Sequence, residues 1–171
     1  MAMTPELQLR AMHKVPLFYL PSASGGQSGP ASTRSRYNLV LVFLNSSPQT
    51  ESYLRDLSAI YPEVLKDDAR AIAVIDASQQ ETQRLAASLA LPFTLLADHA
   101  GATTERILGA GNHAGLCVAD RYGVIYFVEA ASDVAALPPA STVVEWLEYI
   151  EIQCPECTDG SDSIWLSPET P

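Results

Sequence analysis

The chain has 171 residues, of which 47% are hydrophobic and 18% charged, a composition typical of a globular domain with a core of its own. Twenty acidic side chains against ten basic ones give a formal net charge of −10, which repels nucleic-acid and lipid phosphates. The sequence has no apolar run long enough to span a membrane and no basic-then-apolar start typical of a secretory signal. We therefore expect a cytoplasmic protein with no nucleic-acid or membrane partner.

The first half of the chain predicts a short edge strand, a loop, a central strand and a helix. Residues 15–21 form an apolar run bounded by prolines, which is typical of a strand at a sheet edge. Residues 22–35 are rich in Ser and Gly, which predicts a loop. Residues 38–44 are apolar on both faces, as in a strand covered by helices on both sides. We expect Ser47 to cap the next helix and Pro48 to occupy its first position.

The second half continues the alternation and ends with a hairpin and a helix. Ser78 and Glu81 have the spacing of a capping box, which predicts the start of a helix. The predicted elements are a buried strand at 70–76, this helix, a short strand at 93–98, a brief helix around 104–108, a hairpin of 115–120 and 124–128 around Arg121-Tyr122-Gly123, and a last helix at 141–153.

This order predicts an α/β fold with a central mixed sheet, made of parallel strands plus an antiparallel hairpin and flanked by helices. We divide the chain into an N-terminal arm at residues 1–14, one domain at residues 15–153, and a Cys-x-x-Cys motif with an acidic tail at residues 154–171.

Five landmarks in this order resemble the redoxin group, the alkyl hydroperoxide reductase and thiol-specific antioxidant branch of the thioredoxin fold. They are Pro16-x-Phe18-x-Leu20, the strand end Val42-Phe43, Ile72-Ala73-Val74-Ile75-Asp76, Phe93-Thr94-Leu95-Leu96-Ala97-Asp98 and Asp120-x-x-Gly123. The resemblance implies a thioredoxin-like fold and an antioxidant or thiol oxidoreductase activity with a thiol or disulfide protein as partner.

The turn at residues 45–52 is where the resemblance implies a reactive cysteine. Peroxiredoxins carry Pro-x-x-x-Thr-x-x-Cys there and thioredoxin-type reductases carry Cys-x-x-Cys, which puts the cysteine on Pro48, Glu51 or Ser52, depending on register. None of these is a thiol, and a serine hydroxyl stays protonated near neutral pH. A second family position, an arginine or cis-proline before the hairpin, falls on Ala114. We therefore expect no peroxidase chemistry at this turn.

A redox-inactive scaffold is the alternative function, in which the turn and the loop facing it bind a partner or a small molecule. Glu51 and Ser52 have the simpler interpretation of helix-start partners, and a solvated side chain is the simpler one for His113. The candidate binding residues are Ser46, Ser47, Pro48, Gln49, Thr50, Glu51, Ser52, His113 and Ala114.

The three cysteines divide into one predicted core residue and one motif. Cys117 lies in an apolar strand, where a buried, inert thiol is usual. Cys154 and Cys157 form a Cys-x-x-Cys motif. It has three interpretations: a catalytic redox dithiol, a pair of incidental thiols, or half of a zinc site. We expect no metal or other cofactor, except zinc if a homodimer pairs both motifs. The motif follows a helix instead of opening one, and this disfavours a thiolate.

Overall fold

The computed structural model describes residues 8–153, so the predictions for Cys154, Cys157 and the tail lie outside the described residues. The strands are β1 (Leu20–Pro21), β2 (Gln27–Ser28), β3 (Asn38–Leu44), β4 (Ala69–Ile75), β5 (Thr94–Ala97), β6 (Ala114–Ala119) and β7 (Ile125–Ala131). The α-helices are α1 (Thr50–Lys66), α2 (Gln79–Leu89), α3 (Ala102–Leu108) and α4 (Thr142–Glu151).

Five strands form one sheet in the order β5-β4-β3-β6-β7. β3, β4 and β5 are parallel, whereas β6 runs antiparallel to β3, and β7 runs antiparallel to β6. The predicted mixed sheet flanked by helices is therefore confirmed. β3 lies at the centre, and all seven of its residues are buried, as its continuous apolar sequence predicts.

The side chains of β3 alternate between two separate core clusters. Val40 and Val42 pack in the cluster that contains the buried residues of α1 and α4. Leu41 and Phe43 pack in a second cluster, which contains α3 residues and the buried side chain of Phe18. Because successive residues of a strand point to opposite faces, a strand covered on both sides needs apolar residues at every position.

The N-terminal segment folds differently from its prediction. Only Leu20 and Pro21 of the expected strand at residues 15–21 form a strand, pairing with β2 instead of extending the main sheet. Val15 and Phe18 are nevertheless buried, and the Val15 N–H donates to the Gly123 carbonyl at 2.8 Å. The segment is held by side-chain burial and isolated hydrogen bonds, because its prolines supply no N–H for a continuous ladder.

Candidate functional site

The turn that follows β3 and the residues that precede β6 lie at the same end of the sheet, where the parallel strands have their carboxyl ends. Residues 45–49 connect the carboxyl end of β3 to α1. β6 runs antiparallel to β3 with Phe43 opposite Gly115, so Ala114 begins β6 beside the end of β3. The structure therefore brings together the two places that the sequence singled out. In open α/β sheets, the carboxyl ends of parallel strands are where ligands usually bind.

The prediction that Ser47 caps α1 is wrong, because the helix begins at Thr50, after Gln49. The Ser47 carbonyl accepts from the Thr50 N–H at 3.1 Å, and the Ser47 hydroxyl accepts from the Gln49 N–H at 3.3 Å. The Thr50 hydroxyl donates to the Asn45 carbonyl at 2.6 Å. Pro48 thus lies in a turn before the helix, and the Ser47 hydroxyl stabilises that turn instead of the helix start.

A hydrogen-bond network around Asp133 joins the turn to the loop after β7. The Asn45 amide donates to Asp133 Oδ2 at 3.0 Å and accepts from the Val134 N–H at 3.2 Å. The Ala135 N–H donates to Asp133 Oδ1 at 2.9 Å, and the Ser47 hydroxyl lies 3.5 Å from the same atom. These hydrogen bonds, above all the one from Asn45, hold the pKa of Asp133 below its usual value. The loop therefore presents a carboxylate at the turn.

A groove of about 290 Å³ lies between the first turn of α1 and the loop after β7. The Tyr53 hydroxyl donates to the Pro138 carbonyl at 3.0 Å and so ties the helix to the loop. Burial raises the pKa of Tyr53 to about 12, and the nearby charges of Asp56 and Glu129 act in the same direction. The residues around the groove include Gln49, Ser52, Tyr53, Asp56, Val134 and Leu137.

The predicted binding residues divide into those that contact the groove and those that do not. Gln49 and Ser52 line it, while Ser46, Pro48 and Glu51 are exposed outside its lining, and Glu51 pairs with Arg55 on the surface of α1. Thr50 is buried, and Ser47 is engaged in the turn. No motif had pointed to Asp133 or Tyr53. Asp133 binds Asn45 and Tyr53 binds Pro138, and in each pair the two residues lie more than eighty positions apart in the chain.

The loop that faces the turn contributes backbone more than side chains. The His113 side chain is exposed, and the backbone N–H of His113 donates to the Ala131 carbonyl at 2.9 Å. Ala114 is fully buried and pairs with Ala131 in the hairpin. A methyl group supplies neither the charge of an arginine nor the ring of a proline, so this position adds no polar group to the site.

Cys117 is fully buried in the central sheet, which confirms its prediction as a core residue. Its side chain belongs to the core cluster of Leu41 and Phe43, on the face of the sheet opposite to α1. Burial in apolar surroundings raises its pKa far above the usual value for a thiol. Cys117 is therefore unavailable as a nucleophile in the folded protein.

The helix that precedes the Cys-x-x-Cys motif ends at the opposite end of the sheet, beside the amino-terminal end of β3. Glu151, in the last turn of α4, accepts a 2.7 Å hydrogen bond from the side chain of Asn38, which begins β3. The turn follows the last residue of β3, and a strand of this length spans about 20 Å. Gln153, the last described residue, precedes Cys154 at this end of α4, away from the turn.

Residues 8–153 contain no group of three or more His, Cys, Asp or Glu side chains arranged to hold a metal ion. A zinc ion held by Cys154 and Cys157 of two protomers stays a prediction. None of the helices described in this part of the chain is long and apolar enough to cross a bilayer.

The sheet order, the helix after the first central strand and the final hairpin define a thioredoxin-like fold of the peroxiredoxin type. The chain belongs to the AhpC/TSA family, whose pattern it matches over residues 11–132. No curated protein matches the chain by sequence.

Three solved structures illustrate the similarity of fold. The bacterioferritin comigratory protein of Xanthomonas campestris, studied for alkyl peroxide reduction, is 19% identical with a TM-score of 0.65 and covers 78% of this chain and 92% of its own. The peroxidoxin BcpB of Mycobacterium tuberculosis is 16% identical with a TM-score of 0.66, covering 80% and 95%. The AhpC of Enterococcus faecalis is 15% identical with a TM-score of 0.67, covering 81% and 90%.

Proposed function

We propose that this chain is a redoxin-family protein without peroxidase chemistry at its turn, and that it acts as a thiol–disulfide oxidoreductase through Cys154 and Cys157. The observation that carries the proposal is the distribution of thiols. The chain has three cysteines, and none of them lies in residues 45–52. Cys117 is enclosed in the sheet. Cys154 and Cys157 are therefore the two thiols left for exchange with a partner, and their spacing suits an internal disulfide.

The proposed exchange transfers two electrons between this chain and a protein disulfide. The Cys154 or Cys157 thiolate attacks a sulfur of the partner disulfide, and the partner's other sulfur leaves as a thiolate. The second cysteine of the motif then attacks the mixed disulfide, closes the Cys154–Cys157 bond and releases the partner as a dithiol. The exchange is expected to be slow, because the motif follows the negative end of α4 and lies close in sequence to Glu151.

Counting thiols over a series of glutathione buffers tests the proposal. In the native protein, two thiols should be lost together as the buffer becomes oxidising and should return in reducing buffer. Cys154→Ser and Cys157→Ser should each abolish this paired, reversible loss, whereas the matched control Cys117→Ala should retain it. Two thiols that stay reduced in the most oxidising buffer would contradict the proposal. Zinc that is bound by two protomers and lost on chelation would replace it with the zinc interpretation.

A redox-inactive binding role at the turn is the second candidate, and the groove beside α1 favours it. The Asp133 network and the Tyr53 hydrogen bond hold both walls of the groove in place, so a ligand would meet a preformed surface. The same thiol counts separate the two candidates, because this role requires no change in the oxidation state of Cys154 or Cys157. Reversible, paired oxidation that supports reduction of a disulfide substrate would argue against a purely binding role.

A further inference from the structure

A cavity open to solvent lies away from the turn, beside the amino-terminal end of β4. Its volume of about 560 Å³ is within the usual range for small-molecule sites. β5 begins opposite Ile72, so the first residues of β4 have no strand on that side. Side chains from residues 22–37, α1 and α2 line the space that a longer β5 would fill.

Arg70 and Tyr61 place polar groups at this free edge of β4. One Arg70 nitrogen, Nη1, donates to the Ala69 carbonyl at 2.8 Å, and the guanidinium stacks 3.9 Å above the centre of the Tyr37 ring. Burial raises the pKa of Tyr61. The charge of Arg70 and a hydrogen bond with the Ala71 backbone lower it, but by less. Arg70 and Tyr61 both lie in the wall of the cavity.

The charge of the cavity is opposite to that of the whole chain. None of the described residues that line it is Asp or Glu, although the chain carries twenty acidic side chains. Arg70 lines the cavity and forms no ion pair with any carboxylate of residues 8–153. A guanidinium has five N–H donors, of which one is used on Ala69, so most of its hydrogen-bonding capacity is available to an acceptor.

One part of the cavity wall is apolar, whereas Ser, Thr and Gln side chains line other parts of it. Ala86 and Leu91 contribute aliphatic surface, and the Phe93 ring packs edge-on against Tyr61 with the ring centres 5.5 Å apart. A ligand that fits both walls has one negative charge and an apolar body. Arg70 is the one Lys, Arg or His among the described residues that line the cavity, and it matches a single carboxylate. The net charge of −10 disfavours anions of higher charge.

We propose that this cavity binds a small apolar monocarboxylate, with its carboxylate on Arg70 and the Tyr61 hydroxyl and its apolar body against Leu91 and Phe93. Arg70 contributes a charge-assisted hydrogen bond that can be bidentate, and its stacking on Tyr37 fixes the plane of the guanidinium before the ligand arrives. This site is separate from the turn and independent of the chemistry of Cys154 and Cys157.

Titration of the full chain with octanoate, followed by amide NMR shifts, tests the proposal, with octanamide as the uncharged probe of matched shape. Octanoate should bind saturably, with shifts centred on Arg70, Ala71 and Thr94, and octanamide should bind at least about tenfold more weakly because it lacks the charge. Arg70→Gln should remove the preference for octanoate. The matched control Arg84→Gln removes the same charge from an exposed position of α2 and should leave the preference intact.

Tyr61→Phe keeps the ring that packs against Phe93 and should weaken octanoate binding by removing one hydrogen bond. It keeps the test decisive if Arg70→Gln fails to fold. The proposal is overturned if octanoate at millimolar concentration gives no saturable shifts at these residues, if octanamide binds equally well, or if Arg84→Gln weakens binding as much as Arg70→Gln.

Discussion

Tyr53 shows how one side chain connects the helix of the turn to a distant loop. Its ring is buried, while its hydroxyl donates to the Pro138 carbonyl. The pKa of Tyr53 rises to about 12 because burial disfavours the phenolate, and the charges of Asp56 and Glu129 disfavour it further. The position of this residue relative to the groove depends on packing between α1 and a loop more than eighty residues away. The local sequence therefore carried no signal for the hydrogen bond between Tyr53 and Pro138 or for the groove beside it.

The raised pKa of Tyr53 predicts a specific dependence of stability on pH. Up to about pH 10, both the folded and the unfolded chain keep this hydroxyl protonated. Above that pH, the unfolded chain loses the proton first, so the contribution of Tyr53 falls as pH rises towards the folded value of about 12. Between pH 8 and pH 11, the free energy of unfolding of the wild type should therefore fall by about 1 kcal/mol relative to that of Tyr53→Phe.

Urea unfolding at a series of pH values measures this difference, and the other titrating groups cancel because both proteins share them. A difference between the two proteins that stays constant from pH 8 to pH 11 would contradict the assignment of a buried, neutral Tyr53.

At the scale of single elements, the capping box of α2 was predictable from four residues. The Ser78 hydroxyl accepts from the Glu81 N–H at 3.2 Å, and the Glu81 carboxylate accepts from the Ser78 N–H at 2.9 Å. The Ser78 N–H and the Ser78 hydroxyl both donate to the Glu81 carboxylate, and these hydrogen bonds hold the pKa of Glu81 below its usual value. Because both partners lie within one helical turn, the pattern needed no knowledge of the tertiary structure, and the prediction is confirmed.

Ser78→Ala should destabilise the protein by about 1 kcal/mol, the usual cost of losing a serine N-cap. The matched control is Ser88→Ala, an exposed position in the last turn of the same helix, where alanine should be neutral within a few tenths of a kcal/mol. Urea denaturation of both variants measures the two changes in free energy. Equal effects at the two positions would show that the capping box contributes nothing specific.

The start of α1 shows where the same reasoning fails. Ser47 followed by Pro48 has the sequence of a helix start, yet the helix begins at Thr50. The Ser47 hydroxyl instead takes part in a turn and lies 3.5 Å from Asp133, which follows β7. The Ser47 hydroxyl also donates to the Gln49 side chain within the turn, and Asn45 ties the turn to Asp133, so local and tertiary hydrogen bonds together replace the expected cap. Ser47 and Ser78 both look like helix caps in the sequence. The structure distinguishes them, because the loop after β7 lies beside Ser47.

At the scale of the whole molecule, the fold followed from hydrophobic patterning, whereas the site did not. The apolar run of β3 and the alternation of strands and helices were enough for the mixed sheet, because burial on both faces leaves a continuous signal in the chain. The Asp133 network and the cavity at Arg70 depend on pairs of residues that are distant in sequence. Composition and spacing carry almost no trace of such pairs.

The family membership and the missing turn cysteine together give the central claim. The AhpC/TSA scaffold is present over residues 11–132, but residues 45–52 contain no thiol, and the Cys117 thiol is buried on the other face of the sheet from α1. A fold alone does not supply an activity, because the chemistry depends on the residues of the site. Our proposal therefore places any thiol chemistry of this protein on Cys154 and Cys157.

The most direct test measures hydrogen peroxide consumption by the Cys154→Ser/Cys157→Ser double variant in the presence of a thiol reductant, beside the wild type and a reaction without protein. The double variant keeps the whole scaffold, the turn and Cys117. We predict that it consumes peroxide no faster than the reaction without protein. Rapid, catalytic consumption by the double variant would contradict the account, because it would show that the turn or Cys117 reduces peroxide after all.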